Sequence, residues 1–144
     1  METKSIVDRA VLQAKEYKTQ GKGCSVSVAL TLRDVFGGEI SESMLHSMVL
    51  GLSGGMGFTQ EGVCGSLSGA SVSMGMHFQD DHRTLRKLSK ELTKDFQGAM
   101  GNIVCKHILN ENGEKRCMEC VESATRKATE LMLEAGKVPI EGKQ

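Results

Sequence analysis

The chain contains a single proline, Pro139, and it lies close to the end of the sequence. Proline interrupts helices because it lacks a backbone donor and clashes with the preceding turn, so everything upstream of Pro139 is free to be helical. Apolar residues recur at spacings of three and four in several segments, which is the period of an amphipathic α-helix. The sequence therefore predicts an all-α fold, a single-domain compact helical bundle of about six helices over residues 1–144.

Helix boundaries can be predicted from capping residues and from glycines that follow each periodic segment. The first two predicted helices are Ser5–Tyr17, ended by Gly21, and Cys24–Phe36, ended by Gly37. The third is capped by Ser41 or Ser43 and reaches Leu52, and the fourth is capped by Thr59 and runs past Met74. The fifth is capped by Asp80 or Asp81 and runs past Phe96, and the last is Arg116–Ala135, ended by Gly136. Cys24–Phe36 begins with the alternation typical of a strand, but its length and the glycines that follow favour a helix.

The charge balance narrows the range of partners. Lys and Arg number 18 and Asp and Glu number 18, so the net charge is zero. A chain without a net positive field is a poor binder of nucleic acid or anionic membrane. No apolar run approaches the length that spans a bilayer, and the charged N-terminal segment lacks the apolar region of a signal peptide. We expect no nucleic-acid partner, no membrane insertion and a cytoplasmic location.

Five cysteines are the residues most able to carry chemistry, and each lies at or near a predicted helix start or a glycine-rich turn. They are Cys24, Cys64, Cys105, Cys117 and Cys120. In a reducing cytoplasm, metal binding or redox chemistry is a commoner use of cysteine than a structural disulfide. The positive end of a helix also lowers the pKa of a nearby thiol. Each cysteine alone could be a small buried apolar residue, but together they indicate one redox or metal site.

Other sequence motifs are less informative. Cys117 and Cys120 form a CxxC pair, a spacing that serves either a thiol–disulfide couple or two ligands of one metal. Val121 occupies the position where covalent haem attachment requires a histidine. No Ser-His-Asp order, HExxH motif or phosphate-binding loop is present, so the sequence does not indicate whether the protein is an enzyme. The four histidines, His46, His77, His82 and His107, are predicted to be surface or core residues, with His77 and His82 exposed to solvent. The methionines, which include Met44, Met48, Met56, Met74 and Met76, are predicted to fill the core rather than to bind a metal.

The order of cysteines and glycines resembles a known family. The matching residues are Gly23-Cys24-Ser25-Val26, then GGMG at 54–57, then Cys64-Gly65-Ser66-Leu67-Ser68-Gly69, then Cys105 before Ile108-Leu109, and Cys117 before Val121. This order resembles the family named for the pattern C_GCAxxG_C_C, whose members are described as redox-active. The resemblance assigns the four characteristic cysteines to Cys24, Cys64, Cys105 and Cys117. Ser66 replaces the alanine of the motif, and Cys120 is an additional thiol where an apolar residue is usual.

The resemblance also extends to the split-Soret cytochromes c, helical dimers in which a comparable cysteine set is associated with an iron–sulfur centre. It implies a homodimer, a 2Fe–2S or 4Fe–4S cluster held by four cysteines, and electron transfer to a redox partner protein. A thiol–disulfide enzyme or sensor using Cys117 and Cys120 with Cys24 or Cys64 is a second hypothesis. A structural zinc site with four cysteine ligands is a third. Whether Cys117 or Cys120 completes any metal site stays open.

Overall fold

The computed structural model describes residues 2–140, and helices account for nearly all of their regular structure. They are α1 (Thr3–Thr19), α2 (Cys24–Phe36), α3 (Glu42–Leu50), α4 (Gly65–Gly75), α5 (His82–Met100), a 3₁₀ helix (Cys105–His107) and α6 (Cys117–Glu134). This architecture confirms the predicted all-α class. The predicted domain span of 1–144 includes Met1 and residues 141–144, which lie outside the described residues. None of the helices found between residues 2 and 140 has the length and apolar character needed to cross a membrane.

Helix α2 is the centre of the bundle. Every residue from Ser25 to Leu32 is buried, and the helix contacts α1, α3, α4 and α6. A helix surrounded on all sides needs apolar or small side chains all round, which the sequence CSVSVALTL supplies. Its buried hydroxyls bond within the helix, because Ser27 donates to the Gly23 carbonyl at 2.9 Å and Thr31 to the Ser27 carbonyl at 2.8 Å. The helix therefore buries these polar atoms with their hydrogen bonds satisfied.

Helix α4 packs on α2 at unusually close range. A Cβ atom added at Gly69 would lie 2.5 Å from the carbonyl oxygen of Ser25, so the two backbones meet where α4 has no side chain. One turn further on, Ser73 donates a hydrogen bond to the Ala29 carbonyl at 3.2 Å. The small residues of α4, which the sequence indicates as a site of close backbone approach, thus hold the beginnings of α2 and α4 beside each other.

The beginning of α4 differs from the prediction. Thr59 does not cap the helix, which starts at Gly65 with Cys64 as its N-cap. Instead, the five residues 54–58 all have φ between 60° and 71°, a left-handed conformation that the glycines among them adopt readily. Thr59 closes this turn by donating to the Met56 carbonyl at 2.8 Å and accepting from the Glu61 N–H at 3.2 Å. We call residues 54–58 the left-handed loop.

Two predictions about side-chain burial are also wrong. Met44, Met48 and Met56 are 55%, 53% and 58% exposed rather than in the core, because the short helix α3 buries only Leu45 and Val49 and the left-handed loop points outward. His77 is half-buried rather than solvated, and its ring packs edge-on against Phe36. Burial, with the nearby Lys137 charge, lowers the pKa of His77.

Candidate functional site

All five cysteines line one small cavity. Its volume is about 30 Å³, and Gly54, Ile108 and Arg116 complete its wall. The cysteines come from four segments that are far apart in sequence. The structure therefore brings together every cysteine that the sequence analysis selected, and we call this cavity the thiol cavity.

Cys24 is the first residue of α2, and its surroundings are fixed by a pair of buried serines. Ser25 Oγ donates to the Val49 carbonyl at 2.7 Å and shares a hydrogen bond with Ser53 Oγ at 2.6 Å. This contact ties the start of α2 to the segment that leads into the left-handed loop. As a result, the Gly54 N–H at the beginning of that loop donates to the Cys24 sulfur.

Gly65 leaves the room that Cys24 needs. A Cβ atom at position 65 would lie 2.5 Å from Cys24 Sγ, 2.9 Å from the Leu52 carbonyl oxygen and 3.0 Å from Ser53 Cα. Real Cβ contacts are not this short, so no other residue type fits at position 65 without movement of the surrounding backbone. The glycine that follows Cys64 is thus part of the wall of the thiol cavity.

Cys64 and Cys105 are placed by a short antiparallel pairing of the chain. The Cys64 N–H donates to the Ile103 carbonyl at 2.8 Å, and the Cys105 N–H donates to the Gly62 carbonyl at 2.9 Å. Because both bonds come from the cysteines' own backbone, the two residues are fixed relative to each other. Both side chains are buried.

Lys115 is a residue of this site that sequence reasoning missed. The turn at Asn110 returns the chain toward the 3₁₀ helix, since the Asn110 side-chain oxygen accepts from the N–H groups of Asn112 and Glu114. Lys115 Nζ then donates to Cys105 Sγ at 3.5 Å. An ammonium group beside a sulfur stabilises negative charge on it. Only the turn residues gave a sequence signal for this arrangement.

The two cysteines of the CxxC pair lie in different environments. Cys117 begins α6 and is exposed, whereas Cys120 is buried with 3% of its surface accessible. Cys120 Sγ donates to Met100 Sδ at 3.6 Å, a contact between α6 and the last residue of α5. Cys117 therefore lies at the solvent side of the thiol cavity and Cys120 at its inner side.

The thiols of Cys24 and Cys64 hold their protons more strongly than isolated cysteines. A hydrogen bond with Cys64, together with burial, raises the pKa of Cys24 well above its ordinary value. A hydrogen bond with Cys120 and burial raise the pKa of Cys64 to about 11. The prediction that helix starts lower these pKa values is wrong for both residues, because neighbouring thiols and burial outweigh the nearby backbone N–H donors. Both thiols keep their protons at neutral pH unless a cation replaces them.

These raised pKa values predict a loss of stability at alkaline pH in protein without bound metal. Unfolding lets Cys24 and Cys64 titrate near the ordinary thiol pKa of 9.0, whereas in the folded chain the pKa of Cys64 is about 11 and the pKa of Cys24 is also raised. The folded state then binds more protons, so the free energy of unfolding should fall as pH rises above about 9, by up to about 1.4 kcal/mol per pH unit for each thiol. Anaerobic urea denaturation across this range measures the slope, and a Cys24→Ser, Cys64→Ser double variant should flatten it. An equally steep slope in the double variant would contradict this explanation.

A comparison with protein-family models matches residues 23–131 to the family described as "Putative redox-active protein (C_GCAxxG_C_C)". The chain belongs to the C_GCAxxG_C_C family. The matched residues include all five cysteines, helix α4 and the other residues that line the thiol cavity. The family match of this C_GCAxxG_C_C protein therefore covers the whole cavity. No curated protein and no solved structure matches the chain.

The donor chemistry of the cavity in this C_GCAxxG_C_C protein fits a thiolate-bound metal or cluster. The lining residues offer five sulfurs and no carboxylate or imidazole, which is the donor set preferred by zinc and by iron–sulfur clusters. Across residues 2–140, no three His, Cys, Asp or Glu side chains are already arranged as ligands around one point. In their present arrangement, Cys24, Cys64 and Cys120 hydrogen-bond to one another instead. Binding would require these thiols to lose their protons and turn toward a shared centre.

Proposed function

We propose that this protein is an iron–sulfur redox protein. Cys24, Cys64, Cys105 and Cys117 would hold a 2Fe–2S or 4Fe–4S cluster, which supplies one-electron transfer to a partner protein when bound. The observation that carries the proposal is the convergence of cysteines from four separate segments on one cavity with sulfur donors alone.

The groups around the sulfurs support this proposal. The backbone N–H groups of Gly54 and Ser25 donate hydrogen bonds to the Cys24 sulfur. The backbone N–H of Ser66 donates to the Cys64 sulfur. Donors of this kind stabilise thiolate charge and influence the reduction potential of a cluster. Lys115 adds a positive charge beside Cys105. The cavity thus provides fixed donors for negative charge at three of the four proposed ligands.

The two alternatives receive less support. A thiol–disulfide enzyme needs an attacking thiolate, but the raised pKa values of Cys24 and Cys64 leave neither ionised near neutral pH. A structural zinc site would use the same donors, yet zinc has no redox chemistry, and the family is described as redox-active. The cluster is the function that agrees with both the donor set and the family.

Iron and sulfide analysis of anaerobically purified protein tests the proposal. We expect the two elements in comparable amounts, with visible absorption, and loss of both when any of Cys24, Cys64, Cys105 or Cys117 is replaced by serine. Circular dichroism of each variant separates loss of the cluster from loss of the fold. Zinc without iron in wild-type protein, or no metal at all after anaerobic reconstitution, would contradict the proposal.

The proposal includes a homodimer and an unidentified redox partner protein. The exposed apolar side chains of Met44, Met48, Met56 and Phe58 support contact with other protein surfaces, since large exposed apolar groups are typical of interfaces. Two of them, Met56 and Phe58, belong to the left-handed loop that begins beside Cys24. A cytoplasmic location is part of the same proposal, because all five cysteines are free thiols. Light scattering of the purified protein measures the oligomeric state.

A further inference from the structure

A second cavity lies where α1, the end of α2 and the segment that follows α6 meet. Its volume is about 200 Å³. None of the described residues that line it also lines the thiol cavity, so the two sites are separate. Pockets that hold drug-sized molecules enclose roughly 300–1,000 Å³, which makes this cavity the right size for a smaller molecule. We call it the tail cavity, because residues 139 and 140 form one of its walls.

The wall formed by the tail is held in place through Ile140. Its backbone N–H donates to the Val35 carbonyl at 2.7 Å, one of the carbonyls that the end of α2 leaves without a helical partner. Its side chain lies where Gly37 leaves room, since a Cβ atom at position 37 would be 2.5 Å from Ile140 Cδ1. The end of α2 therefore supplies both a hydrogen bond and a space for the tail, which gives the cavity a defined shape.

Five of the eight residues that line the tail cavity are apolar. They are Ile6, Ala10, Val35, Pro139 and Ile140. Ile6 and Ala10 are 7% and 1% exposed, whereas Ile140 is 39% exposed. An aliphatic group placed in the cavity would cover the exposed part of Ile140, and removal of that apolar surface from water is favourable.

Two opposite charges line the tail cavity from different helices. Arg9 belongs to α1 and Asp34 to α2. The Asp34 carboxylate is oriented by Tyr17, whose hydroxyl donates to Asp34 Oδ2 at 2.5 Å. This neutral donor leaves the negative charge in place, and Arg33 Nη1 lies 3.9 Å from Asp34 Oδ1, at the outer limit of an ion pair. The cavity thus presents one cationic and one anionic side chain.

A zwitterion matches this arrangement better than a simple anion or cation does. The guanidinium group of Arg9 has N–H donors that pair with a carboxylate, and Gln13, one helical turn further along α1, adds an amide donor. The Asp34 carboxylate accepts from an ammonium group. A simple anion would be repelled by Asp34 and a simple cation by Arg9.

We propose that the tail cavity binds a small aliphatic zwitterion with the chemistry of a free branched-chain α-amino acid. Its carboxylate contacts Arg9 and Gln13, its ammonium group contacts Asp34, and its aliphatic group packs against Ile140. The inference is independent of the iron–sulfur function proposed above, because the two cavities share no described residue.

Calorimetric titration of the wild-type protein with L-leucine and two analogues tests the inference. The analogue 4-methylpentanoate lacks the ammonium group, and 3-methylbutylamine lacks the carboxylate. We expect L-leucine to bind and each analogue to bind about tenfold more weakly, because each leaves one charged side chain of the cavity without its partner. Absence of L-leucine binding at millimolar concentration, or equal affinity for L-leucine and either analogue, would overturn the inference.

Variants of the cavity wall locate the binding. Arg9→Gln should weaken L-leucine binding about tenfold, since a charged donor to the carboxylate is lost. Lys18→Gln removes the same charge from α1 outside the cavity and should leave the affinity unchanged. Ile140→Ala keeps the backbone bond to Val35 but removes the apolar wall, so it should weaken binding several-fold. Circular dichroism checks the helix content of each variant. Equal weakening by Arg9→Gln and Lys18→Gln would place the binding elsewhere and overturn the inference.

Discussion

Gly69→Ala is expected to destabilise the folded protein by about 3 kcal/mol, the upper end of the cost of overpacking a buried site. The added Cβ would lie 2.5, 2.8 and 3.0 Å from the carbonyl oxygen, Cα and carbonyl carbon of Ser25. All three are backbone atoms, and α2 cannot move away because it is surrounded by four other helices. Urea denaturation followed by circular dichroism measures the loss as a lower midpoint.

Gly98→Ala is the matched control for this substitution. Gly98 lies inside α5, is exposed, and has no atom within 4 Å of the position of an added Cβ. Replacing a helical glycine with alanine at such a site should stabilise the protein by about 0.5–1 kcal/mol. The two glycine-to-alanine changes should therefore have opposite signs. An unchanged midpoint for Gly69→Ala would show that α2 and α4 do not approach as closely as described.

In the iron–sulfur protein that we propose, Gly65→Ala is expected to remove most of the iron and sulfide although all five cysteines remain. The methyl group would occupy the space beside Cys24 Sγ, at 2.5 Å from that atom. The Leu52 carbonyl oxygen and Ser53 Cα also lie 2.9 and 3.0 Å from the added Cβ, so the methyl group has no free space there and the Cys24 sulfur has to move from its place in the thiol cavity. Iron and sulfide per chain after anaerobic reconstitution is the quantity to measure.

Gly75→Ala provides the control, because Gly75 is the last residue of the same helix. The nearest atom to an added Cβ there is Leu85 Cδ2 at 4.0 Å, so the substitution meets no obstacle. We expect wild-type iron content in this variant. Full iron content in Gly65→Ala would show that the centre binds away from the Cys24 side of the cavity, and the ligand assignment would need revision.

Much of the fold could be predicted because its determinants are local. Helix α2 was predicted as Cys24–Phe36 and has these bounds, since a buried apolar run is followed by two glycines. Helix α5 follows the periodic residues Leu88, Leu92 and Phe96, all buried, and Asp81 caps it as one of the two predicted residues. In both cases the signal lies within a few residues of the feature that it predicts.

The left-handed loop and the behaviour of the thiols could not be predicted in the same way. Residues 54–58 are held by hydrogen bonds to segments on both sides, including Gln60 N–H to the Gly54 carbonyl at 2.7 Å, so their conformation is a property of the whole turn. The raised pKa values depend on which thiols become neighbours after folding. A helix start predicts a lowered pKa only when no other buried thiol shares the site.

The distribution of the cysteines over four segments also determines at which stage of folding the thiol cavity forms. Local helices form early and rapidly, whereas contacts between distant segments form only after long loops have closed. Cys117 and Cys120 belong to α6, which packs on α1, α2, α4 and α5. During synthesis, the growing chain cannot present a complete set of sulfur donors until α6 has emerged and docked. A metal centre held by all four proposed ligands could therefore be completed only once α6 has docked.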